Sequence, residues 1–295
     1  MVTTLLPLIV LTWTTLHTSS AFQSTPKSIT SITLKSQLFS AATAQHVITK
    51  PSINKMKILG VCGGIGSGKS TACELMVDKL GCVARIDADK LAHCVYEPGS
   101  QSLQEIVAEF GNDILQSNDS ADEEAAEIDR QKLGSIVFSD PNAMSRLEEI
   151  VWPHVRSKIE ERIKEISAEY QPLSAAGQNE IIIVEAALLL ETDWHDMLDG
   201  LWVVQASPSV AIKRLIENRG LTEEDALVRI RAQQKRRSLL SKDEGSECIS
   251  VELQNEMDKG IVTAVVTNDG TMEDLQAALE QSLNDVAAFK RASCK

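Results

Sequence analysis

The stretch Gly63-Gly64-Ile65-Gly66-Ser67-Gly68-Lys69-Ser70-Thr71 decides the fold, because an apolar run at 58–62 leads into it and a helix-compatible run at 72–80 leads out. Strand, glycine loop and helix in that order make a phosphate-binding P-loop. The glycines let the backbone curl until successive N–H groups face the phosphates of a nucleotide, and the helix N-terminus adds its positive end. Lys69 then supplies a point charge and Ser70 a hydroxyl for Mg²⁺. A glycine linker, the bland alternative, would need neither flanking run.

Working outward, apolar runs at 58–62, 82–86, 181–184, 201–205 and 261–266 read as buried parallel strands. Longer mixed stretches separate them, so the expected fold class is α/β, a doubly wound parallel sheet of five strands. The interval 88–179 is too long for a crossover and predicts helices near 90–96, 100–110, 130–138 and 143–170, together a helical acceptor-binding insertion. Residues 118–129 are acidic and read as a solvated loop. Leu188, Leu189 and Leu190 read as core packing below the site.

Three further constellations carry chemistry. Ile86-Asp87-Ala88-Asp89 closes the second run, and carboxylates two apart on a strand face the same way, toward the crevice where open α/β sheets bind ligands. One acid can accept the proton of an attacking hydroxyl while the other orders the turn or holds Mg²⁺ through water. Either can equally cap a helix starting at Lys90. Residues 181–184 end in Glu185, like a Walker B acid, although strands commonly end in an acid. Lys213, Arg214, Arg219, Arg229, Arg231, Lys235, Arg236 and Arg237 gather eight of the chain's 29 basic residues, so positive charge is concentrated in an acidic protein. Thr222 is placed to cap a helix opening with Glu223, Glu224 and Asp225. On that helix Arg229, Gln233 and Arg236 or Arg237 share a face, as a kinase lid over ATP requires; a solvated helix paired with acids is the alternative.

A net charge of -13 excludes a general nucleic-acid coat, so any anionic substrate has to meet a local basic site. The six cysteines, Cys62, Cys73, Cys82, Cys94, Cys248 and Cys294, have no metal spacing and read as reduced small hydrophobes, with redox sensitivity at Cys62 as the minority reading. The front of the chain differs in kind. No Asp or Glu precedes Glu74 and no Arg precedes Arg85, while Ser and Thr abound. Residues 5–13 are apolar but too short to span a bilayer, like the core of a signal peptide. With Ser19-Ser20-Ala21-Phe22 after them, residues 1–55 are similar to the two-part plastid presequence of diatoms and related algae. Plastid is therefore the expected location, with mitochondrion, endomembrane or cytoplasm as alternatives, and no membrane is expected in the mature form.

Taken together, residues from about Lys57 to about Phe289 resemble dephospho-CoA kinase, a P-loop small-molecule kinase family. The resemblance rests on the glycine loop through Thr71, Ile86-Asp87-Ala88-Asp89, Glu97-Pro98-Gly99, Leu188-Leu189-Leu190-Glu191, the Lys213-Arg214-Leu215 arm to Arg219, residues 232–237 and Asn268-Asp269-Gly270, in that order. It implies transfer of the γ-phosphoryl of ATP to the 3'-hydroxyl of dephospho-CoA, giving CoA and ADP, in a domain over 56–295 with a substrate lobe about 88–179 and a lid about 207–260. By motif, Asp89 would be the general base, Lys69 and the loop amides would hold phosphates, Ser70 would ligate Mg²⁺, and Arg237 and Arg219 would serve as lid arginines. Asn268 would lie near the adenine. Departures from the family pattern are Cys62 for threonine, Trp152-Pro153 for His-Pro with His154 one step beyond, Glu185 for aspartate, Ala187 for proline, and a long acidic 238–259. A nucleoside monophosphate or shikimate kinase, or a nucleotide-binding regulator without turnover, is the alternative. A GTPase fits less well, because Asn54-Lys55 precedes the loop and no guanine signature follows it.

Overall fold

The computed structural model describes residues 56–116, 127–170, 179–234 and 251–289. The five expected strands are present as β1 (Lys57–Gly63), β2 (Cys82–Asp87), β3 (Asn179–Glu185), β4 (Gly200–Gln205) and β5 (Ala264–Thr267), all parallel in the order β2-β3-β1-β4-β5. The chain builds β2 and β3 on one side of β1, then β4 and β5 on the other. The reversal falls at β1, and the crevice above its carboxyl end is where such sheets bind ligands.

Both faces of the sheet are covered, which is why the strands read as continuous apolar runs. Leu59, Val61, Ile181, Ile183, Trp202 and Val204 face α1 (Lys69–Asp78) and α9 (Met272–Asn284). The alternate positions Ile58, Cys62, Ile182, Val184, Leu201 and Val203 face the helical insertion. That insertion comprises α2 (Ala88–Cys94), α3 (Gln101–Phe110), α4 (Arg130–Ser139) and the long α5 (Pro141–Glu169). Along α5 Leu147, Val151, Val155 and Ile159 recur every four residues and are buried, so one apolar stripe holds the lobe on the sheet.

Two expectations need correction. The fifth strand starts at Ala264, not at 261: the amides of Ile261 and Val262 donate to the Glu256 carbonyl at 3.0 and 3.2 Å, finishing α8 (Val251–Asp258), and Val262 is buried there. Nor is the acidic 118–129 wholly a solvated loop. Its described end bridges Ile128 to Leu115 and buries Ile128, and Asp129 caps α4 by accepting from the amides of Gln131 and Lys132; residues 117–126 lie outside the described residues.

After β4 come α6 (Pro208–Arg219) and α7 (Glu223–Gln234), joined by a small core of Ala211, Leu215, Ala226 and Ile230. Thr222 accepts the Asp225 amide at 3.1 Å, the expected cap of α7. Residues 1–55, expected to be a presequence, Lys235, Arg236, Arg237 and most of 238–259 fall outside the described residues. Among those described, no helix is long and apolar enough to cross a membrane.

Candidate active site

A large cleft of about 1970 Å³, open mouth included, sits at the carboxyl end of β1. Gly63, Gly64, Ile65, Gly66, Gly68, Lys69, Ser70 and Thr71 line it. Ser67 alone of the loop is turned away: it is fully buried and its carbonyl, not its side chain, holds the loop down. Gly68, whose φ of 84° favours glycine, is the N-cap of α1, and the helix has neither a side-chain cap nor an acid in its first turn. Its amides are thus left for an anion. A Cβ on Gly68 would also strike the amide of Asn268.

Asn268, expected near the adenine, lines the cleft and also braces the glycine loop. Its Nδ2 donates to the Ser67 carbonyl at 2.7 Å, and Arg214 donates to that carbonyl at 3.3 Å and to Asn268 Oδ1 at 3.2 Å. Asp269 next door accepts the Ser207 amide at 2.6 Å, so one turn after β5 ties together the glycine loop and the start of α6. From α7, Gln233 accepts the Ile65 amide at 2.6 Å, which lays the helix against the loop.

The two aspartates part company. Asp87 caps α2, accepting the Lys90 amide at 3.1 Å, and lies 3.3 and 3.6 Å from Lys90 Nζ and Arg85 Nη2. Asp89 turns into the cleft, 3.9 Å from Lys69 Nζ, with 40% of its side chain still open. The protein crowded around it pushes its carboxyl above the usual aspartate value; Lys69 opposes this, Asp87 and Glu185 add to it, and the Ala187 amide, donating to it, pulls it down again.

Glu185 is the centre of a charge network at the end of β3, opposite Asp87 on β2 and Val61 on β1. Almost wholly buried, it accepts from Lys69 and, at 2.7 Å, from Ser70 Oγ. Arg85 Nε stands 2.5 Å from its other oxygen, an ion pair without hydrogen-bond alignment. Burial works against the charge of Glu185, but Lys69, Ser70 and Arg85 outweigh it and hold the carboxyl below its usual range. For Lys69 burial is again outweighed, by Asp89 and Glu185, so the ammonium keeps its proton. In sequence Glu185 reads only as a Walker B-like acid of the kind that commonly ends a strand, and Arg85, just before the Asp87–Asp89 motif, carries no signal of its own.

Arg214 and Arg219 line the cleft from α6, whereas Arg237 lies outside the described residues. Crowding and then the charge of Arg229 depress the Arg219 guanidinium, which has no acidic partner among the described residues, as an anion-binding edge requires. No group of three metal-binding side chains occurs among the described residues. Ser70 with Glu185 still suits Mg²⁺, which keeps several waters and takes few protein ligands beside phosphate oxygens. Cys62, Cys73 and Cys82 are buried, and burial pushes the Cys82 thiol up to about 12 and that of Cys73 well above its usual value. Cys62 itself is fully buried, and a thiol that no reagent can reach weakens the redox reading beside the loop.

A family model described as dephospho-CoA kinase matches residues 57–248. A dephospho-CoA kinase of Geobacter sulfurreducens is 33% identical over 226 residues, 77% of this chain and 96% of that one. One from Geobacillus kaustophilus is 34% identical over 233 residues, 79% and 98% of the two chains. The crystal structure of TT1252 from Thermus thermophilus aligns with a TM-score of 0.53 at 27% identity, over 78% of this chain and 98% of that one.

Proposed function

Since the chain belongs to the dephospho-CoA kinase family, we propose that its cleft transfers the γ-phosphoryl of ATP to the 3'-hydroxyl of dephospho-CoA, giving CoA and ADP. The observation that carries this is Asp89, set 3.9 Å from the P-loop lysine at the seam between the phosphate cleft and a second, apolar cavity in the helical insertion. Donor and acceptor would meet there.

The loop amides and the start of α1 would hold the β- and γ-phosphates, with Lys69 neutralising the transferring group. Asp89 would accept the proton as the 3'-oxygen bonds to the γ-phosphorus and the bond to the β–γ bridging oxygen breaks. Arg219 and Arg237 would offset charge on the equatorial oxygens. Mg²⁺ would be held by Ser70 and, through water, by Glu185, and when bound it supplies charge neutralisation across the β- and γ-phosphates.

An assay of ADP release tests the acceptor. Dephospho-CoA is expected to drive turnover far faster than AMP, CMP or shikimate. Preference for one of the other three would replace this reading with that kinase, and ATP binding with no ADP formed would leave a regulator.

The Ala187 amide offers a second test. Asp89 works only when ionised, so the rate falls as pH drops through its raised value. Ala187→Pro removes the one N–H that pulls this value down, so the acid limb of the kcat/KM profile should move to higher pH while the plateau is kept. An unmoved limb would mean that the limb reports another group.

We also propose that residues 1–55 address the enzyme to a plastid. The reading is supported by the short apolar segment, Phe22 and the acid-free, hydroxyl-rich stretch behind it. Residues 1–50 fused to a fluorescent protein should enter plastids; mitochondrial or endomembrane fluorescence would refute it.

A further inference from the structure

Lys69 lines the phosphate cleft, yet its ammonium is bonded to Glu185, and Ser70 Oγ donates at 2.7 Å to the same carboxylate oxygen. On the reading that ATP fills this cleft, on which the following inference rests, the phosphates draw the ammonium toward themselves, because they bring several negative charges against one. Whatever Lys69 gives to the phosphates it takes from a carboxylate that is almost wholly buried. A buried charge stripped of its partner is strongly unfavourable, since water cannot replace what it loses. That penalty is subtracted from the binding of ATP.

A second cation is already in place. Arg85 pairs in register with Ile183, so it meets Glu185 diagonally, from two residues back along the neighbouring strand. Its Nε stands 2.5 Å from Glu185 Oε2, the oxygen that Lys69 and Ser70 do not use. The guanidinium is anchored from elsewhere as well: Nη1 donates to Glu74 of α1 at 2.9 Å, and Nη2 lies 3.6 Å from Asp87. Arg85 is not among the residues lining the cleft, so the phosphates have no direct hold on it. Its contact with Glu185 is made by charge alone. Both facing atoms, Arg85 Nε and Glu185 Oε2, are sealed from solvent and neither has an aligned hydrogen bond among the described residues.

We propose that Arg85 is a positioning residue for ATP that acts through Glu185: it stays on that carboxylate as Lys69 turns to the phosphates, and so sets how readily the P-loop lysine is released to the nucleotide. Without it, only Lys69 remains of the two cations on the buried acid, and the ammonium is held there against ATP. Arg85 therefore governs ATP affinity without touching ATP. Because charge rather than hydrogen-bond geometry makes the contact, another cation at this position can do the same work.

Calorimetric titration of the full chain with ATP in EDTA, without Mg²⁺ or dephospho-CoA, keeps metal and turnover out of the readout. Arg85→Leu should raise Kd for ATP about tenfold, and Arg85→Lys, which keeps the charge, should stay within about threefold of the wild type. Glu185→Gln removes the charge that Arg85 offsets, so adding Arg85→Leu to it should change Kd by less than about twofold. An unchanged Kd in Arg85→Leu would overturn the proposal. So would Arg85→Lys as weak as Arg85→Leu, or the same loss with and without Glu185→Gln, which is what a merely structural arginine gives. If Arg85→Leu fails to fold, Arg85→Gln, uncharged but still able to donate to Glu74, takes its place. If neither folds, Glu185→Gln alone decides: with Lys69 freed from the carboxylate it should bind ATP more tightly than the wild type, and equal or weaker binding overturns the proposal. Wild type that binds no ATP fails the functional reading instead, so the two failures are distinct.

Discussion

Asp89→Asn is expected to lower kcat about 100-fold or more while KM for ATP changes by less than about twofold. Asparagine keeps the size and hydrogen-bonding reach of the side chain but cannot take the acceptor's proton, and nothing in the glycine loop leans on it beyond the charge 3.9 Å away on Lys69. Asp87→Asn is the control. Asparagine caps a helix as well as aspartate does, so α2 keeps its cap on the Lys90 amide, and turnover should stay near the wild-type value. If the effects fall the other way round, Asp87 is the base. Stability gives a second readout. The carboxyl of Asp89 is raised in the folded protein, so its favourable contribution is present below its unfolded value and lost as pH rises through the folded one. At neutral pH the ionised group therefore costs stability, and Asp89→Asn should melt at the same temperature as wild type or higher. Lost turnover in a protein that is no less stable separates a missing base from a damaged fold.

How much of this was legible in the sequence follows from the distance between partners. The glycine loop, the strands and the helical insertion are local patterns, and the structure has all of them. The ambiguity at Asp87 and Asp89 was local too, yet no local rule could resolve it, because what separates them is Lys69 on another element. Asn268 shows the limit most plainly: 201 positions separate it from the Ser67 carbonyl it holds, and only the pairing of β4 with β5 brings the two together. Strand 261–266 failed at its front for a related reason. Apolar residues that finish a helix and sink into the core look the same, in one dimension, as the start of a strand. Arg85 was invisible because its meaning comes from Glu185 on the adjacent strand, two residues beyond its own register partner Ile183.

That pairing leads to the second large effect. Glu185→Leu should destabilise the protein by about 3–5 kcal/mol and abolish measurable turnover, because at a site only 2% exposed it leaves Lys69, 13% exposed, with no carboxylate nearer than Asp89 at 3.9 Å. Glu185→Gln separates charge from shape. Its amide oxygen can still accept from Ser70, so the loss of stability should be clearly smaller, while turnover stays low because Lys69 is no longer balanced on that side. Adding Arg85→Leu to Glu185→Leu should recover neither stability nor turnover, since Arg85 keeps Glu74 at 2.9 Å and Asp87 at 3.6 Å and the cation left without a close acid is Lys69. The pH dependence carries the sign. The carboxyl of Glu185 is lowered in the folded state, so its contribution is present above its unfolded value and lost as pH falls through the folded one. Denaturant melts across the acid range should thus fall less steeply for Glu185→Leu than for the wild type. Equal slopes would mean that the ion pairs of Glu185 add nothing to folding, leaving this acid a role only in holding Lys69 and Ser70 for the nucleotide.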